Sequence, residues 1–286
     1  TWGVDVKDSF AYIANQTSGL RVVNVADPRN PREVGSLASW RALEVYASGN
    51  LAFVAAGAAG LRIVDVRNPS NPQEIGFLLS TPCRDVMRIG MFAYGIRDSS
   101  YNSVFYIIDV SDSTNPTLIS SIAPEGWGYA LWVLGAYDYA YTADHWEGMH
   151  VININDPTQP RVDTVCFGAC DSRDVLVLSN RSYIAQLNAG LKVLDISTIQ
   201  QPIEIGTYDT VGVYPMAFEA LWVRDSLAYL GYDFPPQPPD KFVTLNINNP
   251  GNINRLGFCQ VNTPTQDMFS QTSDSIVYAA TTSYLK

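Results

Sequence analysis

Charge is scarce in this 286-residue chain: 16% of its residues are Asp, Glu, Lys or Arg, against about a quarter in ordinary soluble domains. Positive charge is scarcer still. The 18 Lys and Arg are outnumbered by 28 Asp and Glu, and a net charge of −10 opposes a phosphate backbone, which argues against nucleic acid as a partner. No run of about 18 apolar residues is present, so no segment reads as a transmembrane helix. There are two histidines and four cysteines, without a C-x-x-C pair or a zinc-type pairing of Cys with His. Nucleophile-elbow, phosphate-loop and HExxH motifs are also missing. Sustained helical periodicity is lacking, which removes the all-α classes.

What the chain has in quantity is repetition. The stretch Gly60-Leu61-Arg62-Ile63-Val64-Asp65-Val66, followed by Asn68-Pro69 and Asn71-Pro72, is rewritten at Gly19–Pro28, Gly148–Pro157 and Gly190–Ile196. Looser copies run from Phe105 to Val110 and from Phe242 to Ile247. Their Asx residues, at 24, 65, 109, 153, 195 and 246, lie 41, 44, 44, 42 and 51 residues apart. A second landmark, an aromatic in a short strand, falls at Tyr12, Phe53, Tyr94, Tyr141, Tyr183, Tyr229 and Tyr278. Seven copies of one against six of the other imply a seventh unit that begins and is cut off.

Each unit reads as four short strands bounded by Gly, Asn and Pro. Four strands per unit of about 40 to 45 residues predicts an all-β fold, a β-propeller of four-stranded antiparallel blades. Seven blades are expected, six complete and one partial, with a six-bladed ring as the alternative. The units fall at about 1–38, 39–80, 81–123, 124–168, 169–210, 211–260 and 261–286, in a single domain over 1–286. The run Leu61–Val66 does not alternate, as expected of a strand buried on both faces. The Asx at its end reads as a turn former accepting backbone N–H bonds, not as a metal ligand, since half the series is neutral Asn. The chain starts and stops inside the repeat, so it reads as a processed piece of something longer.

These residues resemble the LVIVD repeat, a β-propeller repeat of bacterial and archaeal surface proteins. The resemblance extends over nearly the whole chain; units three, five and six keep fewer of the prolines. It implies an exported, prokaryotic, extracellular or cell-surface setting, and it brings no catalytic motif.

Candidate site residues come from where the repeat breaks. Polar residues lead into the inner strands: Arg41, Glu44, Arg84, Asp85, Arg173, Asp174, Glu219 and Asp267. Loops of the same face add His145, Trp146 and Tyr232. One reading is a polar, aromatic-rimmed channel mouth for a carbohydrate or polar peptide. The preferred reading is that Arg and Asp of adjacent blades pair with one another and stitch the channel. Asp144, His145 and Glu147 form a weak metal or acid–base constellation. Cys166 and Cys170 are spaced to close a small disulfide loop in an oxidising compartment; four free thiols are the alternative.

The function expected is that of a non-enzymatic binding or assembly module, with no cofactor and a protein or surface glycan as partner. Two alternatives are a polysaccharide hydrolase or lyase using channel-mouth Asp and Arg, and a building block of a surface layer or filament. Self-assembly would then run through the incomplete last blade.

Overall fold

The computed structural model describes residues 2–97, 103–124, 126, 128–134, 138–145, 147–166, 171–187, 189–209, 218–232, 241–260, 265–269 and 276–281. The first blade comprises β1 (Gly3–Lys7), β2 (Phe10–Ala14), β3 (Leu20–Asn24) and β4 (Arg32–Leu37). The second comprises β5 (Glu44–Ser48), β6 (Leu51–Ala55), β7 (Leu61–Asp65) and β8 (Gln73–Leu78). The third is β9 (Asp85–Ile89), β10 (Phe92–Arg97), β11 (Val104–Asp109) and β12 (Thr117–Ile122). β13 (Gly128–Leu134), β14 (Tyr139–Asp144), β15 (Gly148–Asn153) and β16 (Arg161–Cys166) make the fourth. The fifth runs through β17 (Ser172–Leu178), β18 (Arg181–Gln186), β19 (Gly190–Asp195) and β20 (Ile203–Tyr208). In the sixth, β21 (Phe218–Arg224), β22 (Leu227–Tyr232) and β23 (Lys241–Asn246) are followed by a 3₁₀ turn at Pro250–Asn252 and β24 (Asn254–Gln260). A last, two-stranded sheet pairs β25 (Thr265–Phe269) with β26 (Tyr278–Thr281).

All pairings within the sheets are antiparallel meanders. The first strands of successive sheets lie side by side, and β25 lies against both β21 and β1, which closes the circuit. Among the described residues the fold is therefore a propeller of six complete blades plus a two-stranded sheet, where six complete blades and a partial seventh were expected. Among the described residues no helix is long and apolar enough to cross a membrane.

The non-alternating run in the repeat has a direct cause. Ile63 and Val64 are both fully buried, but Val64 belongs to the apolar cluster shared with the first blade and Ile63 to the one shared with the third. Each inner face of a blade packs on a neighbour, so both faces of the third strand must be apolar. Burying each such side chain contributes about 1.5–3 kcal/mol. The packing recurs between blades three and four, four and five, and five and six. The first blade's remaining face packs on Tyr278 of β26.

The Asx series behaves as expected. Asn24, Asp65, Asp109, Asn153, Asp195 and Asn246 each accept, through Oδ1, the backbone N–H two residues on, at 2.8 to 3.1 Å. Where the motif's leading glycine stands, the chain must turn with positive φ: Gly60 has φ +79°, and a Cβ there would lie 2.0 Å from the Leu78 carbonyl oxygen. Gly60→Ala should therefore lower unfolding stability by more than the roughly 1 kcal/mol of conformational strain alone. Asp65→Ala, losing its bond to the Arg67 amide, should cost about 1 kcal/mol. Urea denaturation of the two variants checks both values, and a neutral Gly60→Ala would contradict this account of the turn.

Candidate functional site

The first strands of the seven sheets, with the residues just before some of them, line a central cavity of about 400 Å³. In four of these strands the pairing slips by one residue at the mouth, leaving Tyr129, Arg173, Glu219 and Gln266 outside the ladder. A β-bulge of this kind re-aims a side chain, and all four line the cavity. Trp2, Leu43 and Arg84 precede the same point in the other three strands and also line it.

The upper layer is held by alternating cations and rings. The Arg41 and Arg84 guanidinium carbons lie 5.1 and 5.4 Å from the Trp2 ring centroid. Those of Arg84 and Arg173 lie 4.7 and 4.3 Å from that of Tyr129. Such contacts contribute roughly 0.5–2 kcal/mol each. Arg84 also donates from Nε to the Tyr129 carbonyl at 3.1 Å. Arg173 pairs with Asp171 at 2.8 Å and approaches Glu219 of the next blade at 4.0 Å.

Beneath this layer sit Glu44, Asp85, Asp174 and Asp267, one residue further into their strands. Asp85 accepts the Val86 amide at 2.6 Å with one oxygen and, with the other, the Leu131 amide of the next blade at 2.6 Å. Asp174 does the same with Val175 at 2.8 Å and Leu221 at 2.7 Å. Asp267 accepts Met268 at 2.7 Å and, across the junction to the first blade, Val4 at 2.7 Å. The residues they reach past are small: Ala130, Ala220 and Gly3. Glu44 bonds the Val45 amide at 2.9 Å and fills the space beside Gly3, where a Cβ would fall 2.0 Å from its Oε1. Two residues deeper, Asp5 accepts the Ala47 amide of the second blade at 2.6 Å.

The stitching expected between Arg and Asp of neighbouring blades is thus made chiefly by carboxylates on backbone amides. Asp85, Asp174 and Asp267 each use both oxygens on amides, and the guanidinium groups are occupied with rings, Asp171 and the Tyr129 carbonyl. A strand's amides facing the next blade have no partner in their own sheet, and a carboxylate is the side chain that satisfies two at once.

Burial raises the pKa of these acids. Desolvation pushes Asp85 to about 6, and both Asp174 and Asp5 to about 7, against the bonds to amides that lower them. Glu44 and Asp267 are held well above the usual range by desolvation first and by neighbouring carboxylates, Asp267 on Glu44 and Asp174 on Asp267.

Of the residues singled out in the sequence, Glu44, Arg84, Asp85, Arg173, Asp174, Glu219 and Asp267 converge on the cavity. Arg41 is exposed at the rim over Trp2. His145 pairs through Nδ1 with Asp171 of the next blade and meets the Tyr129 ring edge-on at 5.9 Å between centroids. Its expected partner Asp144 is fully buried and accepts the Glu147 amide at 2.8 Å, so the proposed triad is divided between a loop cap and an interblade pair. No group of three or more His, Cys, Asp and Glu among the described residues forms a metal-ligand set. Trp146 and the Tyr232 side chain lie outside the described residues. Cys166 is a buried free thiol whose pKa burial pushes up to about 11; Cys170, the partner considered for it, lies outside the described residues. Asp5, Trp2 and Tyr129 were missed in the sequence, although the position just before each small or acidic residue was the signal for the last two.

The raised acids fix the sign of a pH dependence. They stabilise the folded state fully below the unfolded carboxylate pKa of 3.8, and that contribution is lost as pH rises through about 6 to 7. The turn aspartates Asp65, Asp109, Asp112, Asp156 and Asp195 are lowered by hydrogen bonds to their turns and act the other way, below 3.8. Thermal stability should therefore be greatest near pH 4–5 and several degrees lower at pH 8. Asp174→Asn, which keeps one acceptor and cannot ionise, should flatten this fall, as melting curves across that range would show. An unchanged slope would contradict the assignment.

Comparison with known proteins agrees with this architecture. Among solved structures, a putative 6-phosphogluconolactonase from Bacteroides uniformis superposes with a TM-score of 0.78 at 12% identity, over 96% of this chain and 90% of that one. A chain of the mitotic checkpoint complex gives 0.74 at 12%, over 95% and 83%. The computationally designed Ika8 protein gives 0.69 at 11%, over 98% and 80%. At these identities the likeness is one of fold alone. No curated protein matches the chain. The LVIVD repeat profile matches residues 1–39, 41–79, 85–123, 128–166 and 169–210, the first five blades and more than half the chain. The chain therefore belongs to the LVIVD repeat family.

Proposed function

We propose that this chain is an exported, non-catalytic binding module of a prokaryotic cell surface, a single domain with seven blade positions around its channel, whose mouth takes a polar carbohydrate. The observation that carries the binding reading is the mouth itself. A cavity of about 400 Å³ has Arg84 and Arg173 braced on Tyr129 above a floor of carboxylates. Tyr129 is engaged by two guanidinium groups, so it supports cations more than it offers a free face to a sugar ring. The planar guanidinium edges suit hydroxyl and carboxylate groups, which favours sugars carrying an acid group.

A non-catalytic role is supported by how the carboxylates are used. Asp85, Asp174 and Asp267 each spend both oxygens on backbone amides. A general acid or nucleophile needs a free oxygen at the reacting bond. The surface setting rests on the family resemblance and on a low-charge composition.

Titration calorimetry with uronate-containing and neutral oligosaccharides tests the reading. Acidic oligosaccharides should bind, and Arg84→Ala or Arg173→Ala should weaken binding roughly 10- to 100-fold, the worth of one charged hydrogen bond. No reducing ends should accumulate on long incubation. Cleavage of the sugar, or binding indifferent to both arginines, would overturn it.

A further inference from the structure

The carboxyl groups beneath the arginine layer are not all used alike. At their level the first strands carry either an acid, at Glu44, Asp85, Asp174 and Asp267, or a small residue, at Gly3, Ala130 and Ala220. Each stitched amide follows a small residue: Asp85 reaches past Ala130 to Leu131, Asp174 past Ala220 to Leu221, and Asp267 past Gly3 to Val4. Acid and small residue cannot alternate around an odd number of strands, so two acids must adjoin. These are Glu44 and Asp85. The amide that Glu44 would reach in the next blade, that of Val86, is already held by Asp85 of its own strand at 2.6 Å.

Glu44 therefore turns the other way. Its carboxyl group lies against Gly3 of the preceding blade, where a Cβ would fall 2.0 Å from Oε1 and 2.7 Å from Oε2. Oε1 accepts the Val45 amide at 2.9 Å. Oε2 has no hydrogen bond among the described residues, and the side chain, half-buried, lines the cavity. It is the one acid of the four with an oxygen left over.

The charged groups around it are acids. Asp267, Asp85 and Asp174 act on it in that order, and Asp267 is the carboxylate that holds Val4, the residue after Gly3. From β1 comes Asp5, which is engaged on Ala47. From β9 comes Arg88, which donates to Ser48 Oγ at 3.0 Å. β6 (Leu51–Ala55) carries no titratable side chain. Arg41 and Arg84 are drawn to the Trp2 ring. Carboxyl groups crowded into one desolvated space do not all ionise, and burial first, then Asp267, holds Glu44 well above the usual carboxylate range.

We propose, resting on the reading of the mouth as a site for acid sugars, that Glu44 is the carboxylic acid that contacts the bound sugar. Its Oε2–H donates to the ligand, whose acid group Arg84 and Arg173 neutralise, and binding takes up a proton from solvent. An ionised Glu44 would offer no donor and would repel the same ligand. Affinity is therefore full while Glu44 is protonated and is lost as pH rises through its raised pKa.

Titration calorimetry of the whole chain with a galacturonate trisaccharide, in buffers of different ionisation enthalpy, is the test. Binding should take up protons, and affinity should fall at least tenfold between pH 5 and pH 9. Glu44→Gln cannot ionise and keeps a donor, so at pH 9 it should bind at least tenfold more tightly than the parent. In the ligand-free protein at pH 7, the infrared band of protonated carboxyl groups should be weaker in Glu44→Gln than in the parent. Equal affinity of the parent at both pH values, or a Glu44→Gln profile that follows the parent's, overturns the role of Glu44 and leaves the mouth reading standing. Failure of the sugar to bind at either pH overturns the mouth reading and this role with it. An infrared band unchanged by the substitution overturns the role by itself.

Discussion

A buried carboxylate holding two backbone amides, one of its own strand and one of the next, is the contact on which the mouth of this propeller depends. Among the described residues no strand ladder joins two blades, whose backbones meet only at isolated bridges such as Gln16–Ala42 and Gly57–Cys83. Their apolar faces supply most of the attraction, but that attraction is non-directional and sets neither height nor tilt. Asp85, Asp174 and Asp267 supply direction. Each fixes the next blade's first strand by its own backbone, one residue below the cavity rim. Asp5 repeats the device two residues deeper between the first and second blades.

The cost of this arrangement is four acids in one desolvated space, which repel one another and hold protons more tightly than free carboxylates do. The layer of Arg84 and Arg173 above them offsets part of that cost and at the same time faces outward. Stability and the recognition proposed for the mouth thus draw on adjacent layers of the same seven strands. Carboxylates fix the strands, and the bulged residues Tyr129, Arg173, Glu219 and Gln266, at the level just above, line the mouth. A side chain excluded from the ladder by a bulge is free to differ from blade to blade, which is why the mouth residues vary while the strands beneath them are alike.

The parts of this account legible in the sequence are those that every blade needs for the same reason. The Asx at 24, 65, 109, 153, 195 and 246 repeats because each turn needs the same acceptor, and the two-faced apolar run repeats because each third strand is buried on both sides. Asp85, Asp174 and Asp267 stood out as polar residues where apolar ones were expected. Their partners did not, because a sequence displays side chains and conceals the amides that a strand turns toward its neighbour. Arginine was the natural guess and backbone was the answer. The His145 constellation failed for a related reason: nearness along the chain placed Asp144 beside it, but strand alternation turned Asp144 inward and brought Asp171 from the next blade. The family resemblance carried the fold through all of this and left the ligand to be argued from the mouth.

The most direct test of the account is residue-resolved amide hydrogen exchange at Val4, Leu131 and Leu221. Each of these amides lies in the first strand of its blade and bonds to a carboxylate of the preceding one. In Asp174→Ala the Leu221 amide should exchange at least tenfold faster while Val4 and Leu131 keep their protection, and Asp85→Ala should release Leu131 alone. Unchanged protection at Leu221 in Asp174→Ala would contradict the claim that these carboxylates set one blade against the next.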